Sequence, residues 1–133
     1  MKELLKIQTS LKAPKSQKNT FGNYNYRSCE DILEAVKPLC DMNDCLLTIS
    51  DEIVMLGDRF YIKATATISN DKENISVSAF AREAENKKGM DVSQITGSAS
   101  SYARKYALNG LFCIDDTKDS DTLDNRTSAP KEI

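Results

Sequence analysis

Histidine and tryptophan are absent from the 133-residue chain. Without histidine there is no Ser-His-Asp or Cys-His triad, no imidazole proton shuttle and no Cys/His zinc site. The four cysteines, Cys29, Cys40, Cys45 and Cys113, form no C-x-x-C pair, so the paired spacing of zinc ligands is missing. They are expected to be small buried hydrophobes. No G-x-x-x-x-G-K-[ST] loop is present, which argues against an ATPase. Apolar runs stay far short of the roughly 18 residues of a membrane span. The N-terminus, Met1-Lys2-Glu3-Leu4-Leu5-Lys6-Ile7, places charges inside its apolar stretch and has no signal-peptide core. A cytoplasmic protein without disulfides is the expectation.

What is present is a charge pattern that the net value of −2 conceals. Residues 1–27 carry six basic residues against one acid, a net +5. Residues 28–58 carry eight acids against Lys37, a net −7. Residues 59–114 are +3 and residues 115–133 are −3. Such blocks decide local partners more than the total does. The last block, from Asp115 on, is polar and acidic and reads as a flexible tail. One core domain over 1–114 and a tail over 115–133 follow. In the absence of a ligand, the tail acids are candidates to occupy a basic groove.

The core reads as α+β. Leu4, Ile7 and Leu11 fit a short helix over 2–11. Residues 12–27, with Pro14 and Gly22, read as a loop or irregular extended segment bearing Phe21, Tyr24 and Tyr26. Ser28 with Asp31 forms a capping box ahead of a second helix, in which Pro38 predicts a kink or an early end. Residues 46–49 and 53–56 read as strands flanking an acidic turn at Asp51-Glu52, and Gly57-Asp58 as a turn.

Residues 59–68 alternate cleanly, with Phe60, Ile62, Ala64, Ala66 and Ile68 on one face. Residues 75–82 alternate again after a polar loop. Pairing Ile68 with Ile75 sets Ala66 opposite Val77, Ala64 opposite Ala79 and Ile62 opposite Ala81. A slip of one would mix the faces, so this hairpin register is favoured. Asp91 with Gln94 caps a third helix, expected to stop at Asn109-Gly110. Ile95, Ala99, Tyr102 and Tyr106 form a stripe on it that reads as core. The Gly97-Ser98-Ala99-Ser100-Ser101 run suits close packing on the alanine-lined sheet.

Two readings of the other hairpin face stand side by side. Arg59, Tyr61, Lys63, Phe80 and Arg82 supply cations for phosphates and rings for bases, as single-stranded nucleic acid requires. Lys87, Lys88, Arg104 and Lys105 follow in the next loop and helix. The plainer alternative is a solvated face whose rings are covered by another element or subunit. Asp51-Glu52 reads as a pair of solvated turn acids and not a catalytic pair, and Asp115, Asp116, Asp119 and Asp121 lack the Gly and terminal Glu of an EF-hand loop and read as an acidic tail.

Longer stretches resemble a known family. They are Phe21 to Ser28 (FGNYNYRS), Asp31 to Leu39 (DILEAVKPL), Tyr61 to Ala66 (YIKATA), Lys87 to Asp91 (KKGMD) and Gln94 to Leu108 (QITGSASSYARKYAL). Together with Leu111-Phe112-Cys113-Ile114-Asp115-Asp116 they resemble the ERF, or essential-recombination-function, proteins of bacteriophages, over about residues 1–120. That resemblance implies ATP-independent annealing of complementary single strands in homologous recombination, with no cofactor and no catalytic residue. It also implies a small antiparallel sheet packed on a helix, and homo-oligomeric rings or filaments with DNA along a basic groove. A host or phage single-strand-binding protein is a further candidate partner. Many relatives carry a longer C-terminal region. A regulatory or structural protein-interaction module is the alternative from another class, and an enzyme is disfavoured by the missing motifs.

Overall fold

The structure, a computed structural model, describes residues 1–84 and 91–115. Its elements run α1 (Lys2–Ser10), β1 (Gln17–Asn19), β2 (Tyr24–Tyr26), α2 (Cys29–Met42), β3 (Leu46–Leu56), β4 (Arg59–Ser69), β5 (Asn74–Arg82) and α3 (Val92–Phe112). The class is α+β, as the alternation of patterns predicts. Strands β3, β4 and β5 form an antiparallel meander, and β1 and β2 a separate short ribbon.

The β4–β5 register is the one the sequence favours: Ile68 pairs Ile75, Ala66 pairs Val77, Ala64 pairs Ala79 and Tyr61 pairs Arg82. The buried face of β4 presents Ile62, Ala64, Ala66 and Ile68, all at most 2% exposed. Helix α3 packs on β4 and β5 through Ile95, Ala99, Ala103 and Ala107, one residue per four. Methyl groups on both sides let the helix lie close to the sheet. Helices α1 and α2 close the core with Leu4, Ile7, Ile32 and Val36 against Leu108, Leu111 and Phe112 of α3.

Four expectations need correction. First, β3 is continuous through Asp51-Glu52, with no turn there. Opposite charges compensate the weak strand propensity of the acids: Glu52 lies across from Lys63, and Asp51 pairs with Arg104 of α3. Second, residues 17–26 hold a ribbon where an irregular segment was expected. Asn23, with φ +55°, makes its turn possible. Third, of the two outcomes expected at Pro38 the early end does not occur: α2 continues through it to Met42. Pro38 lies on the exposed face, where water can take the carbonyl its missing N–H leaves open.

Fourth, α3 passes over Asn109-Gly110 and ends at Cys113, with φ +56°. Gly110 serves close packing: a Cβ there would sit 2.9 Å from Val77 Cγ1. Asn109 is buried, and its amide makes no hydrogen bond among the described residues.

Both expected capping boxes form. In α2, the Ser28 hydroxyl accepts from Asp31 N (3.1 Å) and Asp31 Oδ2 accepts from Ser28 N (2.9 Å). In α3, Asp91 and Gln94 exchange the same pair of bonds. The Ser28 backbone N–H holds the Asp31 carboxyl below its ordinary value, outweighing partial burial, which acts the other way.

The sign of the pH effect follows. Asp31 stabilises the fold above the unfolded carboxylate value of about 3.9, and the contribution is lost as pH falls through the lower folded value. Asp31→Ala is expected to cost about 1 kcal/mol or less near neutrality. The stability gap between wild type and variant should close below about pH 4, as read by denaturant titration across pH.

Candidate nucleic-acid interface

The helix-free face of the sheet carries five of the expected residues together. Tyr61 and Arg82 are cross-strand partners, as are Lys63 and Phe80, with Arg59 at the start of β4. The Lys63 ammonium stands 6.0 Å from the Phe80 ring centroid, and Phe80 is half exposed. Further along the same face, the Thr65–Ser78 and Thr67–Ser76 hydroxyl pairs are hydrogen-bonded, at 2.8 and 2.6 Å. One end of this face is therefore cationic and aromatic, and the other is lined by hydroxyls.

Arg104 and Lys105 are not part of that face, because α3 covers the opposite side of the sheet. Arg104 Nε donates to both Asp51 carboxylate oxygens, at 3.0 and 3.1 Å, and the Ser100 hydroxyl donates to the same carboxylate. Arg104 thus joins α3 to the edge strand β3, a structural role the charge count alone did not suggest. Lys105 points the other way, with its ammonium 5.4 Å from the Tyr26 ring centroid. Lys87 and Lys88 lie outside the described residues, as do the tail positions from 116 onward.

Tyr102 and Tyr106 are the residues sequence reasoning misplaced. They are 52% and 44% exposed, with rings stacked at 6.1 Å and an interplanar angle of 30°. The buried stripe one position away is alanine, and it lies too close to the sheet to admit a ring. The tyrosines are displaced to the flank of α3 that faces the β5 edge.

There they divide two cavities. One, about 420 Å³, reaches β5 at Phe80, Ala81 and Arg82. The other, about 410 Å³, lies under the β1–β2 ribbon and includes Lys15, Tyr24, Tyr26 and Lys105. Ser98, Tyr102 and Tyr106 line both, so the two form one groove. Along it run Arg82 and Phe80, then the tyrosine pair, then Lys105 and the ribbon. The only sequence signal for the tyrosines was their spacing of four, which suits a flank and a core stripe equally.

The ribbon that roofs the second cavity is anchored at its base. Arg27 Nε donates to the Ala13 carbonyl and Arg27 Nη1 to the Asp115 carbonyl, both at 2.6 Å. Cys29 also lines this cavity. Burial and, secondarily, Glu30 push its thiol above the ordinary value, so it stays protonated near neutrality and is a poor nucleophile. Cys40 is buried as expected, but Cys45 is only half-buried and Cys113 is exposed at the helix end. Among the described residues, no group of three or more His, Cys, Asp or Glu side chains is placed to hold a metal ion. No helix among them is long and apolar enough to cross a membrane.

Comparison with known proteins bears on this geometry. A family model described as the ERF superfamily matches residues 1–132. The chain belongs to this superfamily. It is also 63% identical over 123 residues to the essential recombination function protein of Salmonella phage P22. That match covers 92% of the chain and 59% of the P22 protein, so the chain spans little more than half the length of this relative. No solved structure matches the chain. For an ERF member, a groove of rings and cations bordered by α3 and the edge of β5 is the feature with the clearest chemical use.

Proposed function

We propose that the chain binds single-stranded DNA and anneals complementary strands without ATP, in the homologous recombination of a bacteriophage. ERF membership and the printed name of the P22 relative support a recombination role. The observation that carries the binding step is the exposed Tyr102–Tyr106 ring pair, set between Arg82 and Lys105 along one groove. Rings of this kind stack on bases whatever the sequence, and flanking cations track the phosphates.

Annealing makes and breaks no covalent bond, so on this reading the protein is not an enzyme and needs no cofactor. Charge neutralisation lowers the repulsion between two strands, and bases left in solvent are free to test a second strand. Assembly of several copies would join weak contacts along the strand into one strong attachment. The cationic end of the open sheet face, with Lys63 and Arg59, offers a second surface that a strand leaving the groove over β5 can reach.

The test is a salt titration of binding to a fluorescent single strand. Affinity should fall with salt, with a log–log slope of about −0.7 per phosphate neutralised. Lys105→Ala should reduce the magnitude of that slope by about 0.7. An affinity indifferent to salt would contradict the phosphate-tracking mechanism.

A further inference from the structure

We infer that the cavity beneath the β1–β2 ribbon holds one nucleobase turned out of the bound strand. The inference rests on the single-strand-binding function proposed above and assigns a subsite within it. The cavity's volume, about 410 Å³, falls within the range of about 300–1,000 Å³ typical of small-ligand sites. The open sheet face offers a surface on which a base can lie flat. The ribbon cavity is instead lined by rings from two elements: Tyr24 and Tyr26 from the ribbon and Tyr102 and Tyr106 from α3.

Its polar lining, with Lys15 and Lys105 beside Asn25 and Glu30, suits a nucleotide with its base edge better than a bare phosphate. Asn25 offers an amide that can donate and accept, matching the mixed edge of a base. Glu30, in the first turn of α2, also lines the cavity. A carboxylate there would repel a phosphate but accepts from the exocyclic amine of adenine, cytosine or guanine. Lys105, against the Tyr26 ring, supplies the cation for the phosphate of the same nucleotide. Turning a base out of a single strand requires no base-pair opening, so little opposes it.

The serine-rich run of α3 gains a second purpose on this assignment. Ala99 packs on the sheet, while Ser98 and Ser101 line the cavity. Gly97 meets nothing within 4 Å of where its Cβ would stand, so close packing does not explain the whole run. Small side chains at 98 and 101 keep the space open. With one base enclosed, its neighbours on the strand stay available for pairing.

The experiment compares an ordinary oligonucleotide with a strand of equal length made of abasic sites. Ser101→Leu fills the cavity and removes no charge or ring, and Ser101, unlike Ser98, lines this cavity and not the one at β5; Ser101→Val does so with a smaller side chain. Each variant's folding is checked by its thermal melt. The expected result is about a tenfold loss of affinity for the ordinary strand. Affinity for the abasic strand should stay within about twofold, because no base is there to enclose. If both variants bind the ordinary strand as wild type does, the cavity is not a base site, although strand binding stands. An equal loss on both strands would likewise overturn the inference, since it would place the phosphate path in the cavity. Failure of the wild type to bind either strand would overturn the single-strand function itself.

Discussion

Replacing Tyr102 and Tyr106 together by alanine is expected to lower single-strand affinity by on the order of a hundredfold. Each stacked base contributes about 1–3 kcal/mol by alanine substitution, and two adjacent rings act partly as one platform. A loss near 2.7 kcal/mol, roughly a hundredfold, lies towards the low end of the about 2–6 kcal/mol that two independent rings would give. Both rings are about half exposed, so their removal should change stability by only about 1 kcal/mol. Phenylalanine at both positions should retain most of the affinity, because the ring face and not the hydroxyl does the stacking. Anisotropy titrations of the three proteins decide the matter. Unchanged affinity in the double alanine variant would remove the groove from the DNA path.

The second large effect concerns stability. Ala103 is fully buried between α3 and the sheet, across from a surface that includes Ala64 and Ala66. Leucine there adds three carbon atoms where two backbones approach closely. Overpacking of a dense core costs typically 1–3 kcal/mol, and the upper end is expected at this site. For a chain of this size, Tm should fall by on the order of 15 °C. Gly97→Ala, on the same helix but facing open space, should instead raise stability by up to about 1 kcal/mol through helix propensity. Thermal melts of the two variants would move in opposite directions. A leucine at 103 tolerated without loss would mean that the helix does not lie close on the sheet.

These two substitutions mark where the sequence was legible and where it was not. The β4–β5 register followed from alternation alone, because a slip of one would expose Ile62, Ala64, Ala66 and Ile68 together. The capping boxes at Ser28–Asp31 and Asp91–Gln94 were legible because each is a local exchange of hydrogen bonds. Two of the misreadings involve a distant partner. Asp51 stays in a strand because Arg104, 53 positions away, holds it. Gly110 stays in a helix because Val77 leaves no room for a Cβ.

The site shows the same division. Tyr61, Lys63, Phe80 and Arg82 were grouped correctly because strand pairing fixes their neighbours. Lys105 was named for its charge, but its setting against Tyr26 depends on a ribbon with little sequence signal. Tyr102 and Tyr106 were expected inside because spacing of four marks a stripe without saying which stripe meets the sheet. Alanine content was the missing criterion: the residues small enough for the close approach are Ala99, Ala103 and Ala107.

The central claim is that this ERF chain pairs complementary strands by holding them in a groove of rings and cations. Its most direct measurement is the annealing rate of two complementary oligonucleotides without ATP, with and without the protein. The account predicts that the wild-type chain accelerates annealing at low salt and that the Tyr102→Ala, Tyr106→Ala double variant, still folded, does not. Acceleration by the double variant equal to wild type, or no acceleration by a wild type that binds the strands, would contradict it.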